Sequence, residues 1–266
     1  MGVHPLWATV LIYLIAVVLI VALRPKALHE ALRSPALWVL MLAAGTTNAT
    51  FKWGVVIGDV VRVVLLFYLM PLWSVLLARV LLSEAITTAA IVRVLLALTG
   101  AAVVLWPDQP LSWQSLPLPR SLPDWLGVLG GFSFALNNVM LRREAHRSEE
   151  ARALAMFGGG MVVAGGLALL LALNGRVPWP PSAAPAWMLL ALLMSVLFIV
   201  GNLALQYGAA RLSANVTAVV LVSEVVVASG TAVAFGAGSL NAQLLVGGCL
   251  IVLASVLSAL QSQDQH

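Results

Sequence analysis

Glu224 stands deep inside an apolar stretch, with uncharged and mostly aliphatic neighbours for most of a helical length on both sides. A charged carboxylate at the centre of a bilayer costs about 2.5–3.5 kcal/mol on insertion scales, so such a residue should face a cavity or carry a proton. In a cavity it could meet an amine of a solute or accept a proton. As a neutral acid it could instead hydrogen-bond to a neighbouring helix.

Other polar groups stand in apolar surroundings at spacings that allow them to join it. Asn48, Asn202 and Asn137 are amides within apolar runs, the last followed directly by Asn138. Amides bind zwitterions and sugars, and they also join helices at about 0.6 kcal/mol each. Pro71 lies mid-run with Tyr68 one turn before it. Proline removes a backbone hydrogen bond and kinks a helix, which offers a hinge or a carbonyl turned toward a cavity. Tyr68 could present its hydroxyl inward or pack at an interface. Glu84 is within helical reach of Arg79 and beside Thr87 and Thr88, a pattern for a structural cap or ion pair. Asp59 and Arg62 flank the other end of that run, as a gate pair or a solvated helix start. Lys52 and Gln206 read as snorkelling residues near helix ends, and Gly158-Gly159-Gly160 with Gly165-Gly166 as close helix contacts. His4, His29, His146 and His266 fall in loops or termini with no carboxylate cluster at metal-ligand spacing, so no metal or cofactor is expected. Phosphate-loop and hydrolase-elbow patterns are also missing, and an enzyme is not expected.

The elements that must hold these residues are set by the solvent. Of the 266 residues 62% are hydrophobic and 9% charged, and mean hydropathy is +1.03. A soluble domain uses about a quarter charged residues, so this chain is expected to lie in lipid. The formal charge of +4 is then a matter of orientation in the bilayer rather than of nucleic-acid binding. Cys249, the single cysteine, sits in an apolar run and excludes an internal disulfide. A span needs roughly 20 apolar residues, and nine segments qualify: 6–23, 36–57, 61–82, 87–106, 124–142, 153–173, 186–207, 213–235 and 240–261. The first lacks a preceding Lys or Arg and a small-x-small cleavage site, so it is expected to be retained. Arg24-Pro25, Ser34-Pro35, Trp106-Pro107, Asn174-Gly175, Pro178 to Pro181 and Gly236 to Gly238 punctuate them as turns.

A shift of 154 residues lays Thr47-Asn48-Ala49-Thr50-Phe51-Lys52-Trp53-Gly54 on Gly201-Asn202-Leu203-Ala204-Leu205-Gln206-Tyr207-Gly208. Spans one to four then overlay spans six to nine, and the fifth, 124–142, has no partner. The cationic residues divide unevenly. Arg24, Lys26, Arg33, Arg79, Arg93, Arg142, Arg143, Arg147, Arg152 and Arg211 belong to one side; Lys52, Arg62, Arg120 and Arg176 belong to the other. Ten against four places the richer side in the cytoplasm, with the N-terminus outside and the C-terminus inside. A complete repeat of five helices would enter the membrane in opposite senses in the two halves, the inverted-repeat plan of secondary transporters.

Two stretches carry a family resemblance. Leu66-Phe67-Tyr68-Leu69-Met70-Pro71-Leu72-Trp73, followed by Leu81-Leu82-Ser83-Glu84, resembles the "YL-x-P … LLxGE" signature of the EamA-like permeases of the drug/metabolite transporter superfamily, with Ser83 where Gly is usual. Ser223-Glu224-Val225 resembles the matching "EP" of the second repeat, with Val225 for the proline and Gly238 for the second-repeat Glu. The resemblance implies an all-α polytopic membrane protein of the inner membrane, built on a ten-helix plan of two inverted repeats around a central cavity. Residues 1–106 would be the first repeat with four helices, 107–123 a Pro- and Trp-rich connecting loop, and 124–266 the second repeat with five. The partner of the fifth span would lie about thirty residues before Met1. The implied function is a permease or exporter of small organic metabolites such as amino acids or drugs, working by alternating access in membrane lipid. Proton coupling and a homodimer are left open. So are two other readings, a non-transporting scaffold or sensor and an inactive truncated transporter.

Overall fold

The structure is a computed structural model and describes residues 4–104, 118–180, 185–224, 226–227, 230–231 and 242–263. Most of the connecting loop, Pro181, Val225 and Gly236 to Gly238 lie outside the described residues. Every regular element among the described residues is a helix: α1 (Pro5–Leu23), α2 (Pro25–Arg33), α3 (Pro35–Ile57), α4 (Val60–Phe67), α5 (Met70–Leu81), α6 (Thr88–Val104), α7 (Leu122–Arg143), α8 (Glu149–Leu173), α9 (Pro185–Arg211), α10 (Ala214–Val222) and α11 (Ala242–Gln263).

Helix starts follow local chemistry. Proline occupies the first turn of α1, α2, α3 and α7, where its missing N–H would have no helical partner. Asp59 caps α4 through the Arg62 N–H at 2.9 Å, and Ser213 caps α10 through the Val216 N–H at 3.4 Å. The two prolines read as turns at 25 and 35 in fact start helices, and α2 lies between them. Its Ala27 and Ala31 are buried while Glu30 bonds the Ser148 hydroxyl at 2.6 Å.

Two expected spans are not continuous. The third divides into α4 and α5 at Tyr68-Leu69, and α10 stops at Val222 before helical backbone resumes at Glu224. By length and composition four helices can cross a membrane: Pro5–Leu23, Val60–Leu81 taken through its break, Glu149–Leu173 and Leu189–Arg211. Thr88–Val104 and Ala242–Leu257 are shorter apolar helices. α3 and α7 are long enough but fall outside that set, because they carry Thr46, Thr47, Asn48, Thr50 and Lys52, and Asn137, Asn138, Arg142 and Arg143.

Boundaries recur at the 154-residue shift. The ends Ile57 and Arg211, and the starts Val60 and Ala214, each differ by 154. So do Met70 and Glu224, where helical backbone resumes after each break.

The packing order is α1 on α8, α8 on α3, α3 on α7, α7 on α4 and α5, and α10 on α5 and α11, with α11 also on α6. Glycine sets the closest approach: a Cβ at Gly159 of α8 would stand 1.9 Å from the Met41 carbonyl of α3. Half of the most apolar window of α8 is buried, against 17% of that in α9, so α8 is central and α9 peripheral. Two apolar clusters tie the helices together. One joins Leu37, Leu40, Leu141 and Leu154, and the other joins Met70, Val94, Val219 and Ile251.

Candidate functional site

Between α1, α3, α7, α8, α9 and the residues after α10 lies a cavity of about 730 Å³. Its wall is largely aromatic, with Phe51, Phe67, Phe134, Phe157 and Phe198. Into it come the polar side chains of Asn48, Asn137, Asn202 and Glu224, four of the six residues expected to meet there.

Each is held differently. Asn48 donates to the Ala44 carbonyl at 3.0 Å and accepts from the Tyr13 hydroxyl at 3.0 Å, which ties α3 to α1. Asn202 lies 2.6 Å from the Gln206 amide and 3.4 Å from the Met156 thioether. Asn137 lines the cavity, and its buried Oδ1 has no hydrogen-bond partner among the described residues, which costs about 1–3 kcal/mol. Asn138 is buried away from that wall. Glu224 is exposed to the cavity, one residue beyond the break, where the Ser223 hydroxyl bonds the Val220 carbonyl at 2.6 Å.

The other expected residues lie outside the cavity lining. Tyr68, at the α4–α5 break, packs toward the Met70 cluster, and Pro71 is buried in the first turn of α5; the cavity receives Phe67 from beside this break. Proline at 71 cannot donate to the Phe67 carbonyl, and that oxygen abuts Gly131 of α7, where an added Cβ would stand 2.3 Å from it. Glu84 does not pair with Arg79, which is exposed on the last turn of α5. It accepts from the Ala214 N–H at 3.4 Å and so caps α10 from across the fold. Of the two readings of Asp59 with Arg62, the solvated helix start is the one found, since exposed Asp59 caps α4 through the Arg62 N–H. The Arg62 guanidinium grips Asp124 through two contacts, 3.0 and 3.3 Å, and reaches the Leu118 carbonyl at 3.1 Å. Asp124 also accepts from the Arg120 and Ser121 N–H groups, which closes a capping box on α7. The pattern Ser121-x-x-Asp124 is the sequence signal for it.

Two reassignments change the cavity. Gln206 is fully buried rather than at a helix end. Lys52, read as snorkelling, lines the cavity with its Nζ bonded to the Thr9 hydroxyl and 5.9 Å from the centre of the Tyr13 ring. It shares a face of α3 with Asn48, one turn away. Among the described residues no group of three or more His, Cys, Asp or Glu is placed to hold a metal ion.

No family model and no curated protein sequence matches the chain. Twenty-six chains among solved structures do. One, a crystal structure of a protein, superposes with a TM-score of 0.74 at 20% identity, covering 100% of this chain and 90% of its own. That likeness establishes the fold alone.

Proposed function

We propose that the chain is an integral membrane permease of the EamA-like type in the inner membrane, moving small organic metabolites by alternating access. The observation that carries this reading is the cavity itself. Asn48 and Asn202, 154 residues apart and equivalent in the overlay, line one chamber together with Glu224. Substrate sites of secondary transporters lie at the repeat interface beside discontinuous helices. The coincident helix boundaries support two inverted repeats, and the breaks at 68–69 and 223 supply the discontinuities. The nine-span count, the outside N-terminus and the cytoplasmic C-terminus belong to the same reading.

In this mechanism Glu224 offers a carboxylate to an amine or takes a proton, and the asparagines orient the solute by hydrogen bonds. Bending at the paired breaks exchanges the open side. Purified protein in liposomes loaded with a mixture of amino acids, organic acids and amines tests it by mass spectrometry of the released solutes. Release of at least one solute above protein-free liposomes is expected, lost or made independent of pH in Glu224→Gln. Retention of every solute at the protein-free level would overturn the reading in favour of a scaffold or sensor.

A further inference from the structure

We propose that Lys52 is the anion-binding residue of this cavity and that, with Glu224, it sets the class of the occupant: a solute with one anionic and one cationic group on an apolar body. The inference rests on the cavity being the solute site of the permease reading, and it adds the chemistry that the site selects.

An ammonium has three donors and no acceptor. At Lys52 one is taken by Thr9, whose own O–H is committed to the Pro5 carbonyl at 2.9 Å, so the Thr9 oxygen acts as the acceptor. The Tyr13 ring receives the charge on one side without taking a strong hydrogen bond. Two N–H groups are left on a residue that lines the cavity. One turn earlier, Asn48 spends one N–H on Ala44 and its oxygen on Tyr13, which leaves its second N–H as another donor on the same face. A lysine head and an amide N–H converging from one helix face suit a carboxylate.

The opposite chemistry lines the same chamber. Glu224, which lines the chamber, offers a carboxylate. Among the described residues neither Lys52 nor Glu224 has an oppositely charged side chain within 4.0 Å. An intramembrane charge without a partner is costly. A solute bearing both charges compensates both residues at once, and its apolar body meets Phe51, Phe157 and Phe198.

The test is direct binding to the full chain in lipid nanodiscs, using four probes with one phenyl body: phenylalanine, 3-phenylpropionate, 2-phenylethylamine and 2-phenylethanol. The wild type should prefer phenylalanine. Lys52→Met keeps the aliphatic stem and should weaken phenylalanine and phenylpropionate by about tenfold or more, leaving phenylethylamine and phenylethanol unchanged. Lys52→Arg should keep the anion preference, which also controls for folding. Glu224→Gln should weaken phenylalanine and phenylethylamine instead. Equal loss for all four probes in Lys52→Met, no loss for phenylpropionate, or no charge preference in the wild type would each overturn the proposal. Liposome flux separates the two readings. Charge-selective binding without flux retains the anion site and rejects the permease, while charge-blind flux does the reverse.

Discussion

Ser83 holds φ at 57°, the only positive φ at a non-glycine residue among those described. That backbone turns the chain after α5 so that the Ala78 carbonyl accepts both the Leu82 N–H at 3.0 Å and the Glu84 N–H at 3.2 Å. It also aims Glu84 at the start of α10. A left-handed conformation costs an L-residue roughly 1–2 kcal/mol, and glycine avoids this. Ser83→Gly is therefore expected to stabilise the protein by about 1 kcal/mol after the entropy of the unfolded glycine is counted. Thermal unfolding in detergent should show a higher Tm; an unchanged or lower one would mean the turn is not strained. At this scale, polar residues isolated in apolar sequence were legible, and Asn48, Asn137, Asn202 and Glu224 reached the cavity. Lys52 was not legible, because a lysine near a helix end reads as snorkelling until a neighbouring hydroxyl and ring are seen to hold it. Arg62 and Asp59 read equally as a gate pair or a solvated helix start, because the side-chain partner of Arg62, Asp124, lies 62 residues away.

Helices were the most legible elements, because proline, Asp and Ser start them by local chemistry that sequence displays. α2 was missed since Arg24-Pro25 and Ser34-Pro35 are equally good turns, and only its docking against α8 decides otherwise. Pro71 marks the break at Tyr68-Leu69 in sequence, whereas the break at Ser223 has no proline before it and lies hidden in an apolar run. Glycine runs illustrate the same limit, because small residues do not announce which neighbour they admit. Gly159 faces the Met41 carbonyl, whereas a Cβ at Gly166 meets nothing within 4 Å. Gly159→Ala must push α3 from α8 and is expected to cost about 1–3 kcal/mol. Gly166→Ala should be neutral or stabilising by up to about 1 kcal/mol through helix propensity. Denaturation of the two variants side by side checks this, and equal effects would contradict the described α3–α8 contact.

Across the whole molecule the ten-to-four division of cations is an orientation signal. Alkaline phosphatase fused after His266 should be inactive, and fused after Pro119 active; the reverse pattern would overturn the orientation and with it the inverted-repeat plan. The helical, lipid-compatible character was legible from hydropathy, and four helices are long and apolar enough to cross a membrane. The chamber was not, since it is made by helices distant in sequence. In the proposed permease this chamber is a wet solute site that opens to each face of the membrane in turn. Asn202→Cys in a Cys249→Ser background, treated with a membrane-impermeant thiol reagent in sealed vesicles of either orientation, measures that most directly. Labelling from both sides is the expected result, and labelling from one side or from neither would contradict it.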